Sequence, residues 1–544
     1  MAARGAGCML AGMKAGGATL LALSWSMASP AAELTVTVRS GSTPLAGAAV
    51  TLYGTGKVRG GPATALASEV TGASGKVRLS YPATTDLLYV IADGASSSAI
   101  RLAAVPGAGA PSDVVANELT TVATAFAMSQ FLKGGTISGL PEGLALATAT
   151  AASLVNPATG EATPSLSRSM LAQIHTLANL LAWCVQSKER DACHDLFAES
   201  RAAGIAMPAN TLDAALAIAH NPANNVVPLY HLAPRDKPYA PALTESPESW
   251  VLSLRHGAVA PGDAPSGLRA TDPEGNVWVT NDRANSVSRF DAKGNALSPP
   301  GGWKNRRIRK PRGIRSDACG NIWIANSGGA SVTRFPRGDP QGAQTYEVDM
   351  REPSGIAIDA AGSVWITGSG NGRVAKLNPD GTPAPGSPFI LRALDKPLDI
   401  AIDSAGNAWV SNHSGRSVTM FRPDGLDTHT FTGGGIDGPW GIAVDGRDNI
   451  FVANSKHPSL SILCGARPEN CPQGKQTGDA ISPAGGYTSD TLSQPSWLAI
   501  DLAGNVRIAT AGGVVEFIGL AAPVAGPLIG PPRQPGQPLP RCGK

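Results

Sequence analysis

The chain has 544 residues, of which 42% are hydrophobic and only 16% charged, with 44 Lys and Arg against 41 Asp and Glu. The length allows three or four domains, and the apolar fraction is ample for packed cores. Charge this sparse and this balanced excludes an acidic disordered tail, a charge-zippered coiled coil and a broadly basic nucleic-acid binder. No apolar run reaches the roughly 18–20 residues of a spanning helix, so no transmembrane segment is expected.

The first segment reads as an address. Arg4 and Lys14 are the only charges before Glu33, and residues 15–28 are small and apolar. This suits a secretory signal, with Ser26-Met27-Ala28 as a small-x-small cleavage site. Residues 1–28 are expected to be removed and the rest exported to periplasm, cell surface or medium, with 42 basic against 41 acidic side chains. Cys8 precedes the apolar run, whereas a lipid-anchored cysteine would follow it. The cysteines agree with export: Cys184 and Cys193 are nine apart, and Cys464 and Cys471 bracket a short loop. Close, even-numbered cysteines in an exported chain favour disulfides, and there is no CxxC or histidine spacing for a metal. Cys319 and Cys542 are left over, with their pairing open.

Residues 33–105 read as strands. Leu34-Thr35-Val36-Thr37-Val38 alternates, and further period-two runs are split by Gly, Pro and Asp turns, which predicts a small β-sandwich. The string Gly41-x-x-Pro44-Leu45-x-Gly47-Ala48-x-Val50-Thr51-Leu52, followed by Thr71-x-x-x-Gly75-Lys76, resembles carboxypeptidase-regulatory or transthyretin-like modules. The resemblance implies a spacer or adhesive unit.

Residues 113–222 carry helical punctuation and predict a small α-helical bundle stapled by Cys184–Cys193. Ser112 is expected to cap a helix through Val114, Leu119, Val122 and Phe126 that stops at Gly134-Gly135. Pro141 opens a second helix, which ends before Asn156-Pro157. A third presents Leu171, Ile174, Leu177, Leu181 and Cys184 on one face, and a fourth runs from Thr211 to His220. His175, His194 and His220 have no ligand or triad spacing and read as polar positions on solvated faces. The Pro-rich stretch 228–247 reads as a linker.

From residue 250 to 520 the chain repeats. Asp272, Asp317, Asp359, Asp403, Asp445 and Asp501 recur in Pro-x-Gly-Ile-Ala-Ile-Asp-x-x-Gly-Asn-Val-Trp, spaced 45, 42, 44, 42 and 56 apart. Six residues after each comes Trp278, Trp323, Trp365, Trp409, Phe451 and Arg507. A period of this size with several strands per unit predicts an all-β propeller, here six-bladed, with each Trp between blades and each Asp-x-x-Gly a turn. Trp250–Leu254 is available to supply the strand that closes the ring. Residues 523–544 form a Pro-rich, extended tail.

These repeats resemble NHL-type propellers, and most of all the virginiamycin B (streptogramin) lyase group. That group opens a cyclic depsipeptide by elimination, using a histidine base after the repeat proline and acidic residues at the end of the second strand. Here the first position holds Ser266, Arg312, Ser354, Leu398, Trp440 and Ser496; the second holds Asn281, Asn326, Gly368, Asn412, Asn454 and Thr510. Neither Ser nor Asn can take an α-proton, which points away from the lyase reaction, although His413 and His457 lie just beyond the second position. The hairpins bring both positions to one face of the propeller. That face reads as a binding surface, with Arg312, Trp440, Asn281, Asn326, Asn412, His413, Asn454 and His457 as candidates. Asn could equally cap its own turn, and Trp440 could pack between blades.

Between the first two repeats, Lys304, Arg306, Arg307, Arg309, Lys310, Arg312 and Arg315 concentrate positive charge, as a recognition loop or a solvated one. The sequence therefore suggests an exported, non-catalytic binding or scaffold protein. It would take a protein, peptide or anionic glycan and no nucleic acid, with no cofactor expected. The alternative is a secreted lyase acting on a cyclic peptide or polysaccharide.

Overall fold

The computed structural model describes residues 31–95, 97–107, 112–187, 191–233, 237–257, 269–291, 293–526, 529–539 and 542. The expected signal segment 1–28 and Ser266 lie outside them. Among the described residues the chain is mostly β, with many antiparallel sheets and six α-helices, and no helix is long and apolar enough to cross a membrane.

Two four-stranded sheets enclose the first core. In one, Ala31–Ser40 pairs antiparallel with Thr43–Pro44 and Lys76–Pro82, and parallel with Asp113–Ala116. The other runs Thr64–Val70, Ala49–Gly54, Leu88–Gly94, Ser97–Gly107. Alternation sends Leu34, Val36 and Val38 inward against Val50, Leu52, Val90 and Leu102. The opposite face of the second sheet is also buried: Tyr89, Ile91, Ala103 and Val105 join the core of the helices.

The helices are α1 (Glu118–Ala127), α2 (Pro141–Leu154), α3 (Arg168–Gln186), α4 (Ala192–Ser200), α5 (Thr211–His220) and α6 (Val226–Leu232). Three differences from expectation have local causes. The β-branched pair Val114-Val115 extends the first sheet, and helix α1 starts only after Asn117. That side chain accepts the Thr120 N–H at 2.9 Å while Thr120 Oγ1 accepts the Asn117 N–H, a reciprocal cap. Gly134-Gly135 ends no helix but forms the turn of a small hairpin, Leu132–Lys133 against Thr136–Ile137. The described residues of 228–247 are packed rather than free: α6 occupies the start, and buried Tyr239 donates its hydroxyl to Glu118 at 2.5 Å. Glu118, wholly buried, also accepts from Ser40 and the Gly41 N–H, so one carboxylate ties sheet, helix and segment together. His175 is buried too, its Nδ1 2.8 Å from the Pro241 carbonyl, not solvated as expected, and His220 Nε2 lies 2.8 Å from the Ser129 carbonyl.

Six successive sheets follow, numbered here by their inner strands: sheet 1 Arg269–Thr271, sheet 2 Pro311–Ser316, sheet 3 Pro353–Ile358, sheet 4 Pro397–Ile402, sheet 5 Pro439–Val444 and sheet 6 Leu498–Ile500. Five have four strands and sheet 5 has three among the described residues. Sheet 6 is completed by Ser253–His256, paired antiparallel with Gly513–Phe517. All six inner strands line one cavity of about 560 Å³, a propeller-like arrangement.

Each repeat closes with the same turn. The Asp Oδ1 accepts the backbone N–H four residues on, at 2.8 Å in Asp272 and 2.9 Å in Asp317, Asp359 and Asp403. Its Oδ2 accepts the indole N–H of the following Trp, at 2.9, 3.0, 3.2 and 2.8 Å in sheets 1 to 4. The turn needs a left-handed residue at its fourth position, supplied by Gly except in sheet 5, where Asp448 takes φ +67°. Asp448 is held there by Ser404 of sheet 4, whose N–H and hydroxyl it accepts at 2.9 and 2.5 Å.

The cysteines form three disulfides, Cys184–Cys193, Cys319–Cys542 and Cys464–Cys471. Cys319–Cys542 ties the far end of the tail to the turn of sheet 2. Ala522, where the tail begins to leave the last sheet, donates its N–H to Asp445 Oδ2 at 2.9 Å, and the tail beyond it buries Val524, Ala525 and Ile529.

Candidate functional site

The residues expected on the loop face separate into three groups. Asn326, Asn412 and Asn454 are fully buried. Each amide donates to two hydroxyls of the next strand: Ser331 and Thr333, Ser417 and Thr419, Ser459 and Ser461. Asn281 does the same with Ser286 and Ser288 from a partly buried position. These amides brace the hairpins from inside. The three buried ones turn no donor or acceptor to solvent. His457 stands exposed in the turn after Asn454.

A second group does converge. His413 meets Trp440 edge-on with ring centroids 5.7 Å apart, and Trp440 meets Trp497 edge-on at 6.4 Å. The cluster bridges sheets 4, 5 and 6. Trp440 is held by its backbone, whose carbonyl accepts the Ser411 hydroxyl at 2.6 Å. Trp440 Nε1 and His413 Nδ1 are both buried without a hydrogen-bond partner among the described residues. Burial, then the nearby Lys396 charge, pushes the His413 pKa down, which favours the uncharged ring. Trp497 also reaches the central cavity. It stands where most repeats have glycine, a substitution visible in the sequence once the repeats are placed in register.

The third group is charged. Lys304, Arg306, Arg307, Arg309 and Lys310 are exposed, and none has a carboxylate within ion-pair distance among the described residues. The loop is shaped by the Lys310 N–H bonding Asn285 at 2.7 Å and by Arg307 bonding the Ala343 carbonyl. Arg312 is half-buried, its carbonyl held by Thr280 Oγ1 at 2.9 Å. Arg315, counted with this loop in the sequence, leaves it and enters the cavity.

One acidic group was missed altogether. Asp399 takes the glycine position of sheet 4 and is 2% exposed. Its Oδ2 accepts the Ile442 N–H at 3.1 Å, and its Oδ1 has no partner among the described residues. Burial raises its pKa to about 6, against the opposing pull of Arg315. No cluster of three or more His, Cys, Asp or Glu able to share a metal ion occurs among the described residues.

No family model and no curated protein matches the chain. Similar solved structures include a catalytically inactive virginiamycin B lyase from Staphylococcus aureus with quinupristin, 15% identical over 51% of this chain and 92% of that one, TM-score 0.39. A streptogramin B lyase is 17% identical over 49% and 97%, TM-score 0.36. The nidogen/laminin complex gives 15% over 45% and 87%, TM-score 0.33. Each of these likenesses takes in about half of this chain.

Proposed function

We propose that the chain is an exported, non-catalytic binding protein. Its six sheets would form a six-bladed NHL-like propeller whose loop face takes a protein, a peptide or an anionic glycan. The observation that carries this reading is the His413–Trp440–Trp497 cluster, in which two aromatic edges and two buried, unpaired ring nitrogens converge across three sheets. The part-exposed ring of Trp440 suits stacking on a sugar or aromatic group. Arg312 and the cationic loop from Lys304 to Lys310 would add attraction for sulfate or carboxylate. Export is supported by three disulfides and by the apolar segment before residue 29.

The test is binding of the purified protein to heparin and to a neutral glycan, with Trp440→Ala and Arg312→Ala compared for binding and melting. Binding of heparin lost in both variants at unchanged melting supports the face. Unchanged binding in both overturns it. Mass spectrometry of the non-reduced, secreted protein checks the export arm, which fails if Cys184, Cys193, Cys464 and Cys471 all alkylate freely.

One observation favours the lyase alternative: a neutral His413 beside an aromatic surface is the right protonation state for a general base. Linearisation of a streptogramin B by the protein, abolished by His413→Ala, would replace the binding reading.

A further inference from the structure

The six inner strands share a register, and one side chain breaks it. Opposite the residue six after each turn Asp, the inner strand places Ala270, Ala357, Ala401, Ala443 and Ala499 in sheets 1, 3, 4, 5 and 6. Sheet 2 places Arg315 there, opposite Trp323. Five alanines keep the centre of the ring open, and the sixth position puts a permanent cation into it.

That cation has almost nothing to pair with. Arg315 Nη1 donates to the carbonyl of its own neighbour, Ile314, at 2.9 Å. No carboxylate lies within ion-pair distance of it among the described residues, and no acidic residue lines the cavity. Asp399, which attracts it, is buried outside the lining. Arg507 and His256 reach the same cavity but are already committed to Glu516. A guanidinium carries five N–H donors, so most of Arg315's have no protein acceptor. Arg315 is partly exposed to the cavity, where a bound anion would satisfy these donors in pairs.

The rest of the lining sets the ligand's character. Ile400, Ile442, Val444 and Ile500 form apolar walls, and Val524 and Pro532 of the tail contribute at the end where the turns lie. A cavity of about 560 Å³ falls within the range that encloses small organic ligands. Of the two lining guanidiniums without an ion pair among the described residues, Arg269 is exposed whereas Arg315 stands amid the aliphatic walls, and it is Arg315 that matches one negative charge on an apolar body. We propose that the central cavity binds a small amphipathic monocarboxylate, its carboxylate on Arg315 and its apolar part against the aliphatic inner strands. This site shares Trp497 with the loop-face cluster but does not depend on binding at that face.

The experiment is calorimetric titration of the full chain with octanoate, octan-1-ol and octyltrimethylammonium as probes. Saturable octanoate binding, near one per chain and at least tenfold tighter than the neutral or cationic probe, is expected. Arg315→Ala gives sheet 2 the residue that the other five hold, and should weaken octanoate at least tenfold while the far-ultraviolet spectrum stays unchanged. If that variant does not fold, Ala443→Leu supplies the test: it narrows the cavity with Arg315 intact, and should also weaken octanoate. Trp440→Ala should bind octanoate as the parent does. No octanoate binding, equal binding of octanol, or parent-like affinity in the folded Arg315→Ala or Ala443→Leu variant overturns the proposal. Loss of octanoate in Trp440→Ala alone overturns it too, by moving the ligand to the face.

Discussion

Sheets 1 to 4 and sheets 5 and 6 carry the same repeat but close it differently. In the first four, an Asp carboxylate accepts an indole N–H from a Trp that is wholly buried between sheets. In sheet 5 the Trp is Phe451, which has no N–H, and the vacated Asp445 Oδ2 accepts the Ala522 N–H of the tail. In sheet 6 the Trp is Arg507, paired with Asp501 at 3.4 Å and with Glu516 at 3.6 Å. Glu516 in turn accepts from His256, from Asn505 Nδ2 at 2.6 Å and from Thr150 of helix α2 at 3.4 Å. Where the repeat keeps its Trp, the turn Asp accepts that indole within its own sheet, although Cys319–Cys542 still ties the tail to sheet 2. Where it loses the Trp, the freed polar groups fasten something else: the tail at sheet 5, the closing strand and the helices at sheet 6.

The largest effect is expected where that fastening is most deeply buried. Glu516 is 1% exposed and holds four groups, so Glu516→Ala leaves Arg507 and His256 without their shared anion and should destabilise by about 3–5 kcal/mol. Glu516→Gln keeps the shape and should cost less. His256 and Arg507 hold the Glu516 pKa below its ordinary value despite burial. A depressed carboxylate contributes stability that is present above pH ~4.5 and lost as the pH falls through its folded pKa. Urea melts at pH 7 and pH 3 should therefore lose more stability in the parent than in Glu516→Gln. An equal loss in both would remove Glu516 from the ring closure.

Asp399 is the contrasting departure, a charge placed in a repeat position with one hydrogen bond and no ion pair. Its pKa, about 6 against 3.8 for the ordinary carboxylate, runs the opposite way. A raised carboxylate contributes stability that is full below pH ~3.8 and lost as the pH rises through 6. Asp399→Asn can still accept the Ile442 N–H and has no charge to bury. It should gain stability of up to about 3 kcal/mol at pH 8, shrinking toward zero at pH 4. A pH-independent difference would mean that the carboxylate is not what the site penalises.

A smaller effect tests the kept repeat. Trp409→Phe removes a 2.8 Å bond to Asp403, whose Oδ2 retains only the Asn407 amide. It should cost about 1–2 kcal/mol by thermal or chemical unfolding. No measurable loss would reduce the indole bond to a bystander of packing.

The repeat itself was legible because hydrophobic period, turn glycine and Trp recur together, and each is a local requirement of one hairpin. Its ligands were not. Asn326, Asn412 and Asn454 look like a polar ring in sequence, since nothing local reveals that their partners are hydroxyls five and seven residues on. Arg315 read as the end of a basic loop because charge is visible along the chain, whereas the strand boundary that turns it inward is set by pairing with Trp323. Asp399, Trp497 and Arg507 could have been found by asking which repeat positions depart from the pattern. Glu118 could not: its partners Ser40 and Tyr239 are far away in sequence and meet only through the tertiary fold.

The smallest effect decides whether the loss of the Trp in sheet 5 is what admits the tail. Phe451→Trp restores the residue that sheets 1 to 4 carry, at a site equally buried, and should cost about 1 kcal/mol, the low end for enlarging a packed side chain. The restored indole N–H would then compete with the Ala522 N–H for Asp445 Oδ2, whose other donor is the Asn449 amide at 3.5 Å. Burial between neighbouring sheets favours the indole, because an unpaired N–H there cannot reach water, whereas the Ala522 amide, also buried, reaches it once its segment is released. Hydrogen exchange should therefore quicken at least tenfold at Ala522 and Val524 in the variant, with the strands of sheet 5 unchanged. Cys319–Cys542 would still hold the tail's far end, so its release should be local. Unaltered exchange at Ala522 would show that one carboxylate oxygen serves both donors, and that the tail docks through its buried Val524, Ala525 and Ile529 instead.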